Sequence, residues 1–490
     1  MKEREHMSET KYKKRLILDN DGGDSQCGEG TYEAFCSIRM KDYIGLGATT
    51  LVYTTRSSGF GVFTHKTRYG TISTATMPHH TRINAVSQMI ANDEDTLSYA
   101  LRFCREHDLE CIWQMRMNDT HDGTGAEYSP YSFQANSFKL GHPECLMGKR
   151  DGSEKPPYCA WSAVDYGQPL VREMACKFVE EVCRNYDIDG VQLDYFRHPM
   201  LFRHPANGEH ATKDEIDALN GMMRQMRDIV KREGEKRGRE ILLSVRVPDS
   251  VEYALFLGMD IETWLKEGLV DMLVTSSYLQ FHHFDYSAAL GHQYGVPVYP
   301  SLDEIRVREK EAKARRNTRE ALLGRIEKAL NEGTDGVMLF NYYGIHLNND
   351  QAEWQKETVR MAFDEEKRKG AAKCFFASVR GRGAVAGGAP PHDAYMQIPM
   401  LTPDHPLAIQ GKGETSIRVP AKWEGKKQLR LFFAEAATGS VSLNGVKLGA
   451  FAGKEGVFEI PCEAMKWGDQ AVEVTAENAI LTDAMIEFLA

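Results

Sequence analysis

The chain has 490 residues, of which 42% are hydrophobic, 27% charged and 10% aromatic, the usage of an ordinary globular protein. This excludes a disordered, collagenous or low-complexity chain, and at such a length no disulfide or metal is needed to build a core. A net charge of −10 has the wrong sign for a nucleic-acid binder, and no run nears the roughly 18 apolar residues that cross a membrane.

Residues 1–14 form a polar extension with charge but no apolar stretch of the kind a signal peptide carries. None of the ten cysteines forms a Cys-x-x-Cys pair, so free thiols in a reducing cytosol are expected unless a leader has been trimmed. Cys104, Cys176 and Cys183 fall on the apolar side of helical patterns and are expected in the core. From Arg15 onward, short β-rich apolar runs recur: RLILDNDGGD, then TTLVYTTRSSG from Thr49, LECIWQMRMND from Leu109 and DGVQLDYFRHP from Asp189. They continue with EILLSVRVPDS from Glu240, VDMLVTSSYLQ from Val270, VPVYPSLDEI from Val296 and DGVMLFNYYG from Asp335. Between them lie patterns of helical period, clearest over Gln168–Tyr186, Thr212–Arg237 and Thr318–Glu332, the last stopped by Gly333. Eight β runs with helical crossovers predict an α/β chain with a (β/α)8 TIM barrel over residues 15–370. A doubly wound dinucleotide fold is disfavoured, because no Gly-x-Gly-x-x-Gly follows any β run. After residue 370 the texture changes to Gly, Pro and Arg over 379–391 and then to short alternating segments. Among them, VSLNGVKLG carries an Asn444-Gly445 hairpin signal. Residues 371–490 are therefore expected to form a β-sandwich, read as a brace on the barrel or as a carbohydrate-binding module. Trp423 and Trp467 are its candidate sugar platforms.

In a barrel the chemistry collects where the strands end at their C-terminal side. The runs end there with Asp19, Asp21 and Asp24; Arg56; Arg116, Asn118, Asp119 and His121; and Asp194, Arg197 and His198. Arg246 and Asp249, Tyr278 and His282, Glu304 and Arg306, and Asn341 and Tyr342 complete the set. Carboxylates, arginines and aromatics converging on one mouth suit a polyhydroxylated ligand. No lysine ends a run, which leaves a Schiff-base aldolase without a nucleophile. The first run lacks a His-x-His metal pair, and no Gly-x-Ser-x-Gly elbow occurs. No cofactor and no metal is expected.

The stretch LVREMACKFVEEVCRNYDIDGVQLDYFRHP, Leu170–Pro199, resembles the glycosyl-hydrolase-like family 10 group of barrel proteins. The residues that carry the likeness are Tyr186, Asp187, Asp189, Gly190, Val191, Leu193, Asp194, Tyr195, Arg197 and Pro199. The resemblance implies a carbohydrate-active, hydrolytic barrel and transfers a class more firmly than a substrate. DNDGGD and RMNDTHD match nothing in that pattern.

Glycoside cleavage needs two carboxyl groups, one to protonate the leaving oxygen and one to attack or to activate water. Asp194 ends the fourth run and is the first candidate, its alternative role being a salt bridge to a mouth arginine. Asp189, at the start of that strand, is expected to orient the opposite end. Glu304 is the preferred partner, with Asp119 next and Asp21 third; Glu304 could instead charge the start of the next helix. Asp21, Arg116, Asn118, His121, Arg197, Arg246, Tyr278, Asn341 and Tyr342 would hold the sugar. The arginine-rich mouth points to an anionic glycan, unless the arginines only orient the acids. Two rivals stand: a non-catalytic glycan-binding barrel, and a metal-dependent hydrolase built on Asp19, Asp21, His121 and Asp194.

Overall fold

The computed structural model describes residues 14–55, 59–74, 85–123, 136–276, 279–302, 307–342, 349–380, 392–420 and 423–489, with the side chains of 349–352 excepted. The expected polar extension, apart from Lys14, and most of the Gly/Pro/Arg-rich run lie outside these residues.

Each of the eight β runs forms a strand, and the eight close into a parallel barrel in chain order. They are β1 (Arg15–Asn20), β2 (Thr50–Thr54), β3 (Glu110–Arg116), β4 (Gly190–Asp194), β5 (Leu242–Val247), β6 (Met272–Thr275), β7 (Val298–Leu302) and β8 (Gly336–Leu339). Pairing of Arg15 with Gly336 through Leu18 with Leu339 closes the ring. Nearly every strand residue is buried on both faces, which is why these strands read as continuous apolar runs rather than alternating ones.

A helix follows every strand: α1 (Tyr32–Ile38), α2 (Thr96–Glu106), α3 (Pro169–Asn185), α4 (Lys213–Arg237), α5 (Ile261–Lys266), α6 (Phe284–Gln293), α7 (Arg319–Asn331) and α8 (Asn349–Ala362). The boundaries follow local chemistry. Pro169 opens α3 at a position where its missing N–H is no loss. Thr212 and Glu215 form a reciprocal capping box on α4, and Gly238 ends it at φ 72°. Cys104, Cys176 and Cys183, on α2 and α3, are all buried. Asp189 sits below β4, where it accepts the Cys111 N–H (2.7 Å) and pairs with Arg105 (2.8 Å) and Arg239. Among the described residues no helix is long and apolar enough to cross a membrane.

The C-terminal domain is an antiparallel sheet of five strands: β9 (Lys373–Phe376), β10 (Leu407–Val419), β11 (Lys427–Leu443), β12 (Val446–Glu459) and β13 (Gly468–Phe488). The 21-residue β13 is central, with β9 and β10 along one edge and β11, then β12, along the other. Register shifts in β11 and β13 bend the sheet around its own core of Ile409, Leu429, Leu431, Leu443, Val472 and Leu481, in keeping with a sandwich. The hairpin between β11 and β12 turns through Asn444 (φ 51°) and Gly445 (φ 84°), the two left-handed residues of a type I′ turn. Trp423 is buried against Phe375 and Phe488 and offers no platform, whereas Trp467 is exposed.

Candidate active site at the barrel mouth

Three adjacent strands end in the same way: Gln114-x-Arg116, Gln192-x-Asp194 and Ser244-x-Arg246. Strand side chains alternate, so each pair faces the barrel axis while Met115, Leu193 and Val245 face the helices. The lower members form a ladder. Gln114 Nε2 donates to Gln192 Oε1 (2.7 Å) and to Asp19 Oδ1 (2.9 Å), and Gln192 Nε2 donates to Ser244 Oγ (3.1 Å). Thr54 Oγ1 donates to Gln114 Oε1 (2.6 Å).

The upper members form the floor of the mouth. Arg246 meets Asp194 as a fork, Nε to Oδ1 at 3.0 Å and Nη2 to Oδ2 at 2.7 Å, with both side chains fully buried. The backbone N–H groups of Phe196 and Arg197 also donate to Asp194 Oδ1, each at 3.0 Å. The Arg246 guanidinium lies 4.1 Å from the Phe340 ring centroid. Arg116 reaches three partners: Asp194 Oδ2 at 3.9 Å, Asp119 Oδ2 at 3.6 Å and Asn341 Oδ1 at 3.2 Å. Asp194 thus takes the ion-paired position named as its alternative role, with Arg246 as the mouth arginine.

Asp119, just past β3, is differently placed. Its Oδ1 accepts from the backbone N–H of His121 (3.0 Å) and from His121 Nδ1 (2.6 Å), so the ring proton sits on Nδ1. His121 Nε2 then accepts from Arg197 Nη2 (3.0 Å). Among the described residues Asp119 Oδ2 accepts no hydrogen bond. Burial alone would raise this carboxyl, but His121, His198 and Arg116 more than offset it and hold Asp119 well below the usual carboxylate range. Asp19 shows the opposite balance. Burial pushes it up to about 6 against the pull of Arg116 and Arg246, although it accepts from Gln114 and from the Asn341 N–H (2.9 Å). A cavity of about 10 Å³, room for one water, is lined in part by Gln114, Arg116 and Asp119.

The remaining expected residues divide. Asn341 joins the floor through Arg116 and holds a left-handed backbone (φ 47°). Asn118 is a tether: its side chain bonds both backbone groups of Val164 (2.8 Å each) and the Met200 carbonyl. Asp21 pairs with Arg39 at 2.5 Å. Tyr342 packs on Tyr43. Glu304 and Tyr278 lie outside the described residues, as do Arg56 and Arg306.

The sequence reading placed Asp19 and His198 at the mouth without a role in glycoside cleavage or sugar binding, and it missed the Gln114–Gln192 ladder. The polar-x-polar strand ends were the signal for the ladder. His198 Nδ1 accepts the Thr120 N–H (3.1 Å), and its Nε2 lies 3.3 Å from Arg197 Nη1. Burial, with Arg197 beside it, pushes His198 well below the usual histidine range. Asp119, His121 and His198 offer ligand atoms within 4.8 Å of one another, close enough to share a cation.

No protein-family model matches the sequence, and no curated protein matches it. Among solved structures, the chain is similar to the GH36 alpha-galactosidase AgaA of Geobacillus stearothermophilus, with 11% identity over 96% of this chain and 56% of that one (TM-score 0.39). It is similar to alpha-L-fucosidase isoenzyme 2 of Paenibacillus thiaminolyticus, with 14% identity over 74% and 51% (TM-score 0.41). A third is the maltogenic alpha-amylase AmyB of Thermotoga neapolitana, with 13% identity over 97% and 99% (TM-score 0.41). The chain spans about half the length of the first two.

Proposed function

We propose that the chain is a glycoside hydrolase that cleaves an oligo- or polysaccharide at the barrel mouth, along the lines implied by its resemblance to the glycosyl-hydrolase-like family 10 group. One observation carries the assignment of the reacting carboxylate. Of the acids grouped with Arg116 and Arg246, namely Asp19, Asp119 and Asp194, Asp119 alone keeps an oxygen without a hydrogen bond, while its other oxygen is fixed by His121; Asp24 and Asp249 also keep unbonded oxygens, but outside this group. Asp119 is therefore the nucleophile or base. Asp194, gripped by Arg246 and two backbone N–H groups, is a positioning residue that holds the floor rigid. The general acid is assigned to Glu304 from its place near the end of β7. A separation from Asp119 of about 5–5.5 Å would give retention, and roughly 6.5–9.5 Å inversion.

The arginines bear on the substrate. Arg116 and Arg246 already face Asp119, Asp194 and Asn341, so a substrate carboxylate or sulfate would find their charge engaged. This favours a neutral glycan over the anionic one expected from sequence. The test is reducing-sugar release from neutral, uronic and sulfated glycans. Asp119→Asn and Glu304→Gln should each lower release from the neutral members by about 100-fold or more. Full activity in Asp119→Asn would sink the assignment, and release only from sulfated or uronic members would restore the anionic substrate.

A second reading rests on the clustering of Asp119, His121 and His198: a metal-dependent hydrolase. The Thr120 N–H on His198 Nδ1 counts against it, since it occupies the lone pair of Nδ1 and leaves the proton of a neutral ring on Nε2. Activity lost to a chelator and restored by a divalent ion would bring this reading forward.

A further inference from the structure

A second cavity, of about 60 Å³, lies between the barrel and the sheet domain and is lined by none of the mouth residues. Arg325 and Lys328 of α7, Arg380 and Arg418 of β10 line it, together with His283, and no carboxylate does, in a chain of net charge −10. Arg418 is already matched by Glu332 (3.3 Å), Asp469 (2.9 Å) and Asp285. Lys328 is not. Among the described residues no carboxylate lies within ion-pairing distance of it; its Nζ donates to His283 Nδ1 (3.0 Å) and lies 5.4 Å from the Phe284 ring centroid. His283 is thereby fixed with its proton on Nε2, 3.2 Å from Asp469 Oδ1. A neutral imidazole takes one ammonium hydrogen and leaves two.

We propose that this cavity binds a small tetrahedral oxyanion, phosphate or sulfate, held by Lys328 with Arg325 and Arg380. Size and charge both select this class. A water needs roughly 10–15 Å³ of such space, so the cavity takes about four water-sized groups, the number of oxygens in phosphate, and excludes a sugar ring. A half-buried ammonium with no carboxylate in contact is costly, and an anion in contact with it offsets that cost. Burial indeed lowers the proton affinity of Lys328, with Glu332 opposing, and a bound oxyanion would raise it again. The ion would join α7 to Arg380, just past β9, across the domain boundary. The site is independent of the proposed glycosidase, since no mouth residue contributes to it.

The experiment is calorimetric titration of inorganic phosphate, and separately sulfate, into the full chain at constant ionic strength with chloride as the control. The expected result is saturable binding to the parent, about tenfold or more weaker in Lys328→Gln and unchanged in Lys454→Gln, a lysine exposed on the sheet domain. Phenyl phosphate, too large for the cavity, should not compete; competition would move the site to open surface and overturn the proposal. Equal binding in Lys328→Gln, or no saturable binding to the parent, would also overturn it. Should Lys328→Gln fail to fold, Arg325→Gln in the same titration carries the same two outcomes.

Discussion

Replacing Asp194 with alanine would strip the fully buried Arg246 of the carboxylate that its guanidinium grips as a fork across the β4–β5 boundary. Breaking such a pair costs about 3–5 kcal/mol. Denaturant titration should therefore show Asp194→Ala strongly destabilised, while Asp119→Asn loses activity and keeps most of its stability. The reverse ranking would make Asp194 the reacting group. Proton binding adds a second residue-level expectation. Burial pushes Asp249 up to about 6, opposed by the N–H groups of His282 and Phe281 that its Oδ2 accepts. Its unfolded counterpart titrates near 3.9. Between about pH 4 and 6 the native chain therefore holds a proton that the unfolded chain has released. The contribution is complete below pH 4 and is lost as pH rises through 6. Asp249→Asn should flatten the fall in stability across this window by on the order of 3 kcal/mol. Asp19 and Asp24, also pushed up to about 6 by burial, account for further slope of the same sign. An unaltered slope in Asp249→Asn would mean that this carboxyl is ionised throughout.

At the scale of elements, the closure of the barrel depends on Gly336. It opens β8 at φ 151°, and a Cβ there would lie 2.0 Å from the Arg15 carbonyl oxygen of β1. Gly336→Ala should lower stability by about 1–3 kcal/mol or more, read by thermal unfolding. Gly445, in the β11–β12 turn, has open space around it and would cost only the left-handed strain of about 1–2 kcal/mol. The barrel was legible because burial on both faces makes each strand a run of apolar residues, and Asn444-Gly445 announced its hairpin through turn chemistry. The site was legible only to the level of strand ends. Which acid pairs with which arginine depends on register between strands: Asp194 and Arg246 stand opposite each other in β4 and β5, and no local pattern states that. The contact between Asp119 and His121 is local, two residues apart, and RMNDTHD contained both members without indicating that one carboxylate oxygen would stay unbonded.

For the whole molecule, the boundary between barrel and sheet domain is held by a buried fork. Arg316, ending the short helix Lys310–Arg316, donates Nη1 to Asp483 Oδ2 (2.6 Å) and Nη2 to Oδ1 (2.7 Å), and its Nε and Nη2 also reach the Ser378 carbonyl (3.0 and 2.7 Å). Asp483→Ala should uncouple the two halves, so that a single calorimetric unfolding peak separates into two; one undivided peak would show that other contacts suffice. The central place of β13 has a consequence for synthesis. The strands of the barrel and all their helices precede β9, so the barrel can close while the sheet domain is still being translated. The sheet domain is completed only by β13, because β9, β10 and β11 each pair with it, and Lys373 waits for Phe488, although the β11–β12 hairpin precedes it. Until Asp483 leaves the ribosome, Arg316 has no carboxylate partner from the sheet domain. A barrel that closes first would hold Arg315 and Arg316 ready for Asp483, and a chaperone or a stray acidic segment would have its best opportunity there.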